Sequence, residues 1–242
     1  MERTTQTPLH TLGLIGGMSW HSTVDYYRLI NSAVAEALGG HHSADIVLAS
    51  LDFDRVRACQ VAEDWAGADA LLADAARRLE GAGADAVLIC TNLMHKCAPA
   101  VETALGVPLL HIGDAVARAA REQGATTLGI VGARWTMEDP FFADRLARHG
   151  IAAVVPGAAD REMIDRVVFD ELTQGTVCDE SRAAYAAAFT DLAERGADAI
   201  VLACTEIQML VSAEDSPVPL IDSMASHAAY AADHALGRLN PV

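Results

Sequence analysis

Two segments of this chain read almost alike: Gly83-Ala84-Asp85-Ala86-Val87-Leu88-Ile89-Cys90-Thr91-Asn92 and Gly196-Ala197-Asp198-Ala199-Ile200-Val201-Leu202-Ala203-Cys204-Thr205-Glu206. Each is a continuous apolar run, the mark of a buried strand, ending in Cys-Thr and a polar residue. Thr11-Leu12-Gly13-Leu14-Ile15-Gly16-Gly17 likewise returns as Thr127-Leu128-Gly129-Ile130-Val131-Gly132-Ala133, so the chain reads as two homologous halves. A thiol at the same place in each half is a matched pair of acid/base groups. A reaction whose substrate and product are mirror images needs such a pair, one group taking a proton from carbon and the other returning it on the opposite face. Two-base proton transfer is the chemistry expected of Cys90 and Cys204.

A lone cysteine at a strand end is more often a small core hydrophobe. Duplication, with threonine following both times, separates Cys90 and Cys204 from Cys59, Cys97 and Cys178, which read as packing residues. Each strand is expected to turn directly into a helix, whose N-terminus would favour the thiolate. Acid/base transfer contributes typically 10²–10⁴-fold, short of the roughly 10⁶ expected of an enzyme. Hydrogen-bond donors must therefore also stabilise enolate-like charge on a carboxylate, and Thr91, Asn92 and Thr205 are the donors at hand.

The elements that must position these groups alternate. Apolar strand-like runs occupy 12–15, 45–51, 86–89, 108–110, 127–131, 152–155, 199–202 and 219–221. Amphipathic helical spacing covers 24–38, 66–79, 112–121, 141–148, 160–173, 180–194 and 224–236. Gly81, Gly83, Gly124, Gly150 and Gly196 come just after helical runs, where a left-handed residue commonly ends a helix. Near-continuous apolar strands separated by helices give a parallel sheet covered on both faces. The expected fold is α/β, two pseudo-symmetric doubly wound lobes, each with a parallel four-stranded sheet and the active site in the cleft between them. Residues 1–110 with 211–242 form the N-terminal lobe, and 111–210 the C-terminal lobe. In open parallel sheets ligands bind beyond the carboxyl ends of strands. Gly16-Gly17-Met18-Ser19, the Cys-Thr motifs and Arg134-Trp135-Thr136 all fall there.

Composition narrows the partners. The chain has 242 residues, 52% hydrophobic and 21% charged, with a formal charge of −16. That charge argues against nucleic acid and acidic membrane surfaces as partners. No run approaches the roughly 20 apolar residues of a membrane span. Met1 to Leu9 reads as a polar leader without a signal sequence, so a cytoplasmic location is expected. Five cysteines, an odd and sparse set, suit free thiols in a reducing compartment. Lys96 is the sole lysine and would have to carry any pyridoxal phosphate, and no second ligand cluster accompanies Cys90, His95 and Cys97 to hold zinc. Neither cofactor nor metal is expected.

Leu14-Ile15-Gly16-Gly17-Met18-Ser19-Trp20, then Ser22-Thr23 and Tyr26-Tyr27, together with Cys90-Thr91-Asn92-Leu93-Met94-His95-Lys96 and Cys204-Thr205-Glu206-Ile207, resemble the aspartate/glutamate racemase family, closest to its broad-specificity amino-acid racemase branch. The resemblance implies a cofactor-independent racemase or epimerase, commonly dimeric, acting on a small amino acid. Cys90 and Cys204 would be its catalytic thiols. Gly17, Met18, Ser19, Gln60, Thr91, Asn92, Thr136, Met163, Thr205 and Glu206 would line the substrate site. The chain departs from the family at His21 and Leu93. It departs more consequentially at Met163, where members acting on acidic substrates carry a lysine that meets the side-chain carboxylate. Met163 cannot bind a carboxylate, and Arg161, two residues away on a helix, points elsewhere. A neutral amino acid is thus favoured over aspartate or glutamate. Other thiol-dependent chemistry of the same superfamily, isomerisation or decarboxylation, and simple amino-acid binding are the competing readings. The duplicated thiol counts against both.

Overall fold

A computed structural model of the protein describes residues 9–239. The leader expected at the N-terminus lies, up to residue 8, outside the described residues. The chain divides into two compact units. The first comprises the residues up to Cys90, Cys97–Leu110 and those from Ala228 on, and the second comprises Thr91–Lys96 and His111–His227.

In the first unit β1 (Leu12–Gly16) is flanked by β2 (Ile46–Ser50) and β3 (Ala86–Ile89), with β4 (Leu109–Leu110) beyond β3, giving the order β2-β1-β3-β4. All pairings are parallel, with Leu14 opposite Leu48 on one side and Leu88 on the other. Every residue of β1 and β3 is buried, as strands covered on both faces require. Helix α1 (Trp20–Leu38) buries Tyr26, Ile30 and Val34 at four-residue spacing. Two more helices, α2 (Phe53–Val61), capped by Asp52, and α3 (Trp65–Gly81), connect β2 to β3. Helix α4 (Ala98–Ala104) leads into β4.

The second unit repeats the plan. Helix α5 (Ile112–Glu122) precedes β5 (Thr127–Gly132), followed by α6 (Arg134–Glu138), α7 (Pro140–Ala147), β6 (Ala152–Val154), α8 (Ala158–Asp170), α9 (Asp179–Glu194), β7 (Ala199–Ala203) and β8 (Leu220–Asp222). Its parallel sheet has the order β6-β5-β7-β8, the same topology as the first. Helix α10 (Ser223–Ala235) starts in the second unit and ends in the first. Residues 211–227, expected with the N-terminal lobe, belong to the second unit because β8 pairs with β7.

The repeated Gly-Ala-Asp has a local cause. Asp85 Oδ2 accepts the Thr11 N–H at 2.7 Å, and Asp198 Oδ2 accepts those of Thr126 and Thr127 at 2.9 and 3.0 Å. In each unit the carboxylate ties the entry of the first strand to the entry of the third. The short helices α2, α4 and α6 escape a periodicity reading because they bury too few apolar residues to show it; α2 buries only Val56 and Gln60. Among the described residues, no helix is long and apolar enough to cross a membrane.

Candidate active site

In each sheet the chain reverses its direction of strand addition between the first strand and the third, the switch point where open parallel sheets bind ligands. The thiols stand there: Cys90 comes directly after β3, and Cys204 directly after β7.

In the first unit the turn after β1 is built on Gly17, whose φ is +87°. A Cβ at that position would lie 2.1 Å from the Leu51 carbonyl oxygen, so a side chain is excluded on both counts. The Gly17 N–H donates to Thr23 Oγ1 at 2.8 Å, which ties the turn to α1. Met18 is buried, and Ser19 stands at the N-cap of α1 without a side-chain capping bond. The Cys90 N–H donates to the Ile15 carbonyl at 2.9 Å, fixing the thiol-bearing residue against β1. Gln60 is buried in α2 and accepts from Arg57 Nη1 at 3.2 Å.

In the second unit Asn92 is buried, its Nδ2 donating to Ser223 Oγ at 2.9 Å. Thr136 is buried in α6. Asn92 Oδ1 and Thr136 Oγ1 have no hydrogen-bond partner among the described residues. Buried polar atoms are nearly always satisfied, so each of these marks a place for a ligand or water. Glu206 accepts from both residues that precede it, from Cys204 Sγ at 3.1 Å and from Thr205 Oγ1 at 2.8 Å.

His95, three residues beyond Asn92, is buried and its tautomer is determined. The Ile112 N–H must donate to Nε2, at 3.1 Å, so Nδ1 carries the proton and donates to the Thr91 carbonyl at 2.7 Å. Burial first, then neighbouring His227, lowers its pKa to about 3. His111, whose Nδ1 accepts the Gly113 N–H at 2.9 Å, is also held neutral, chiefly by burial. The two rings lie 4.5 Å apart. Lys96 is ion-paired with Asp139.

The electrostatics correct one expectation. Neither Cys90 nor Cys204 opens an α-helix: each leads instead into a short 3₁₀ segment, Leu93–Cys97 in one case and Ile207–Met209 in the other. The segment after Cys204 is too short to build the dipole of a long helix, and the one after Cys90, which runs on into α4, begins three residues beyond the thiol. Burial pushes the Cys90 thiol up, and burial together with the Glu206 charge does the same to Cys204. Both thiols therefore rest protonated.

Met163 is half-buried on α8, packed against the core of the second unit. It lines a cavity of about 310 Å³ together with Arg166, Glu171 and Ser181. Arg161 is engaged elsewhere, with Glu138 at 3.1 Å and the Pro156 carbonyl at 2.7 Å. Sequence reasoning misses Ser223 and Arg166, and it reads His95 only against a metal site. Arg166 was discoverable, since it lies three residues beyond Met163 on a helix and so shares its face. The contact of Ser223 with Asn92 spans 131 residues and has no local signature. Among the described residues no group of three or more His, Cys, Asp or Glu side chains is arranged to hold a metal ion.

Residues 15–231 match the family model for Asp/Glu/hydantoin racemases. A solved structure from Yersinia pestis, described as a "putative Asp/Glu Racemase", is 46% identical; the match covers 94% of this chain and 100% of that one, with a TM-score of 0.90. An aspartate racemase homologue from Pyrococcus horikoshii OT3 is 27% identical, over 91% of this chain and 96% of that one, with a TM-score of 0.78. Glutamate racemase from Francisella tularensis, at 14% identity and a TM-score of 0.61 over 96% of this chain and 84% of that one, shares the fold.

Proposed function

Because the chain belongs to the Asp/Glu/hydantoin racemase family, we propose that it is a cofactor-independent amino-acid racemase or epimerase, with Cys90 and Cys204 as a two-base pair on opposite faces of the substrate α-carbon. The observation that carries the reading is the duplication. Two sheets of identical strand order each present a Cys-Thr at the end of the equivalent strand, beside the switch point. In one direction the Cys204 thiolate takes the α-proton, the C–H electron pair moves into the carboxylate as enolate-like charge, and the Cys90 S–H delivers its proton to the other face. The reverse reaction exchanges the two roles.

Since both thiols rest protonated, the base forms on binding. The cationic ammonium of an amino acid favours a nearby thiolate, and the displaced proton leaves for water along the hydrogen bond that Cys204 Sγ makes to Glu206. Thr136, whose hydroxyl has no partner among the described residues, supplies a donor for the substrate carboxylate, Thr205 spends its hydroxyl proton on holding Glu206, and Gly17, Met18, Ser19 and Gln60 complete the site. The substrate is a neutral amino acid. Where members acting on acidic substrates carry a lysine this chain has the thioether of Met163, and Arg166, which lines the same cavity, is already paired with Glu171 at 3.2 Å; an unpaired desolvated carboxylate costs several kcal/mol. The working assembly is a homodimer, which light scattering tests as twice the chain mass.

The decisive experiment incubates a panel of L- and D-amino acids with the protein in D₂O. Deuterium entering Cα of at least one pair, with interconversion of its enantiomers, is the expected result. Absence of Cα exchange across the panel refutes the activity.

A further inference from the structure

Three buried atoms in the second unit form a one-way chain of hydrogen bonds. Ser223 Oγ lies 2.6 Å from the Leu202 carbonyl oxygen, which can only accept, so the single hydroxyl proton of Ser223 is spent there. What remains on Ser223 Oγ is lone pairs. The Asn92 amide atom 2.9 Å away must therefore be the NH₂ group, since an oxygen there would meet oxygen. The amide nitrogen and oxygen of asparagine are otherwise nearly indistinguishable, and here the network settles which is which. Asn92 Oδ1 consequently faces the other way. It is buried, and it has no partner among the described residues.

From this we infer that Ser223 is a positioning residue that locks Asn92 as an acceptor, and that Asn92 reads the α-ammonium of the ligand rather than its carboxylate. This reverses the donor role that residue type alone suggests for Asn92. The inference rests on the reading of the ligand as an amino acid. A group that only donates, such as an ammonium, satisfies Asn92 Oδ1. A group that only accepts, such as the carbonyl of a 2-oxo acid, faces it oxygen to oxygen and leaves both unpaired. The same fixed amide thus attracts the amino acid and rejects its oxo counterpart. Ser223 sits at the start of α10, directly after β8, with no exposed surface. The β7–β8 pairing that brings Leu202 and Ser223 together is what sets the polarity of the site.

The test is a binding measurement with matched probes, L-methionine against its 2-oxo analogue and L-aspartate against oxaloacetate, by calorimetry on the full chain. In the wild type at least one amino acid of these pairs binds at least tenfold more tightly than its oxo counterpart, as one charge-assisted hydrogen bond of about 1.5–3 kcal/mol predicts. Ser223→Ala frees the amide to turn, and the preference falls several-fold. Asn92→Asp presents an oxygen to the ligand either way round, the Ser223 hydroxyl turning its proton from Leu202 to the facing carboxylate oxygen, and keeps or strengthens the preference for the ammonium, so the inference stays testable if Ser223→Ala folds poorly. Equal binding of the members of each pair in the wild type, failure to bind either, or loss of the preference in Asn92→Asp overturns the inference. A protein that shows the preference yet exchanges no Cα proton refutes the racemase activity alone.

Discussion

Glu206→Gln removes a negative charge whose oxygen lies 3.1 Å from Cys204 Sγ. The charge acts against ionisation of the thiol, which burial already holds well above its ordinary value. Two like charges 4 Å apart repel by about 4 kcal/mol at the effective dielectric typical near a protein surface. Cys204 as a residue keeps some exposure, so part of this is screened. Even a third of that energy, about 1.4 kcal/mol, is a tenfold change in the thiolate fraction at neutral pH. Glutamine also offers an N–H to a thiolate, which acts in the same direction. Alkylation of Cys204 by iodoacetamide at pH 7, tracked peptide by peptide in a mass spectrometer so that the other four cysteines serve as internal controls, is therefore expected to run about tenfold or more faster in Glu206→Gln. Unchanged or slower alkylation of Cys204 would show that the carboxylate does not control this thiol, and the route by which the base forms would have to be abandoned.

Cys90→Ala and Cys204→Ala should each lose net racemisation by roughly 10²–10⁴-fold. Each should still exchange the α-proton of the single enantiomer that faces the surviving thiol. Inversion at the wild-type rate in either variant, read by chiral chromatography, refutes the two-base pair. Met163→Lys should raise kcat/KM on aspartate and glutamate by roughly 10–150-fold, the worth of one charge-assisted contact. An acidic substrate turned over well by the wild type and indifferent to the change would mean that another group, with Arg166 first in line, holds the side chain. Stability should fall with acid. An unfolded histidine takes up a proton below about pH 6.5, whereas native His95 stays neutral to about pH 3. The unfolded chain therefore binds more protons between those values, and stability, full above pH 6.5, declines as pH falls, by ~1.4 kcal/mol per pH unit for each such histidine. Urea unfolding at pH 7 and pH 5 should differ by about 2 kcal/mol from His95 alone, a difference that His95→Gln reduces. Equal stability at the two pH values contradicts the neutral, buried assignment.

The internal repeat carried most of the architecture. Apolar runs without alternation could only be strands buried on both faces, and the helical spacing between them required parallel crossovers. Among the described residues all eight strands lie where those runs stand, to within a residue or two at their ends. The repeat also singled out two of the five cysteines, because equivalent strands deliver equivalent residues. The end of the first unit was less legible. Residues 211–227 side with the second unit through the pairing of β8 with β7, a non-local hydrogen-bond ladder with no trace in local composition.

The protonation and polarity of the candidate site were decided by tertiary structure alone. A thiol at a strand end reads the same in sequence whether the next turn is α-helical or 3₁₀, yet burial and the adjacent Glu206 reverse the expected shift at Cys204. Asn92 reads in sequence as a donor, although its amide is both donor and acceptor. Which one it offers a ligand depends on Ser223 and on the Leu202 carbonyl, residues more than a hundred positions away. Sequence specifies which groups are present. The direction in which each hydrogen bond runs is set by partners that only the folded chain brings within 3 Å.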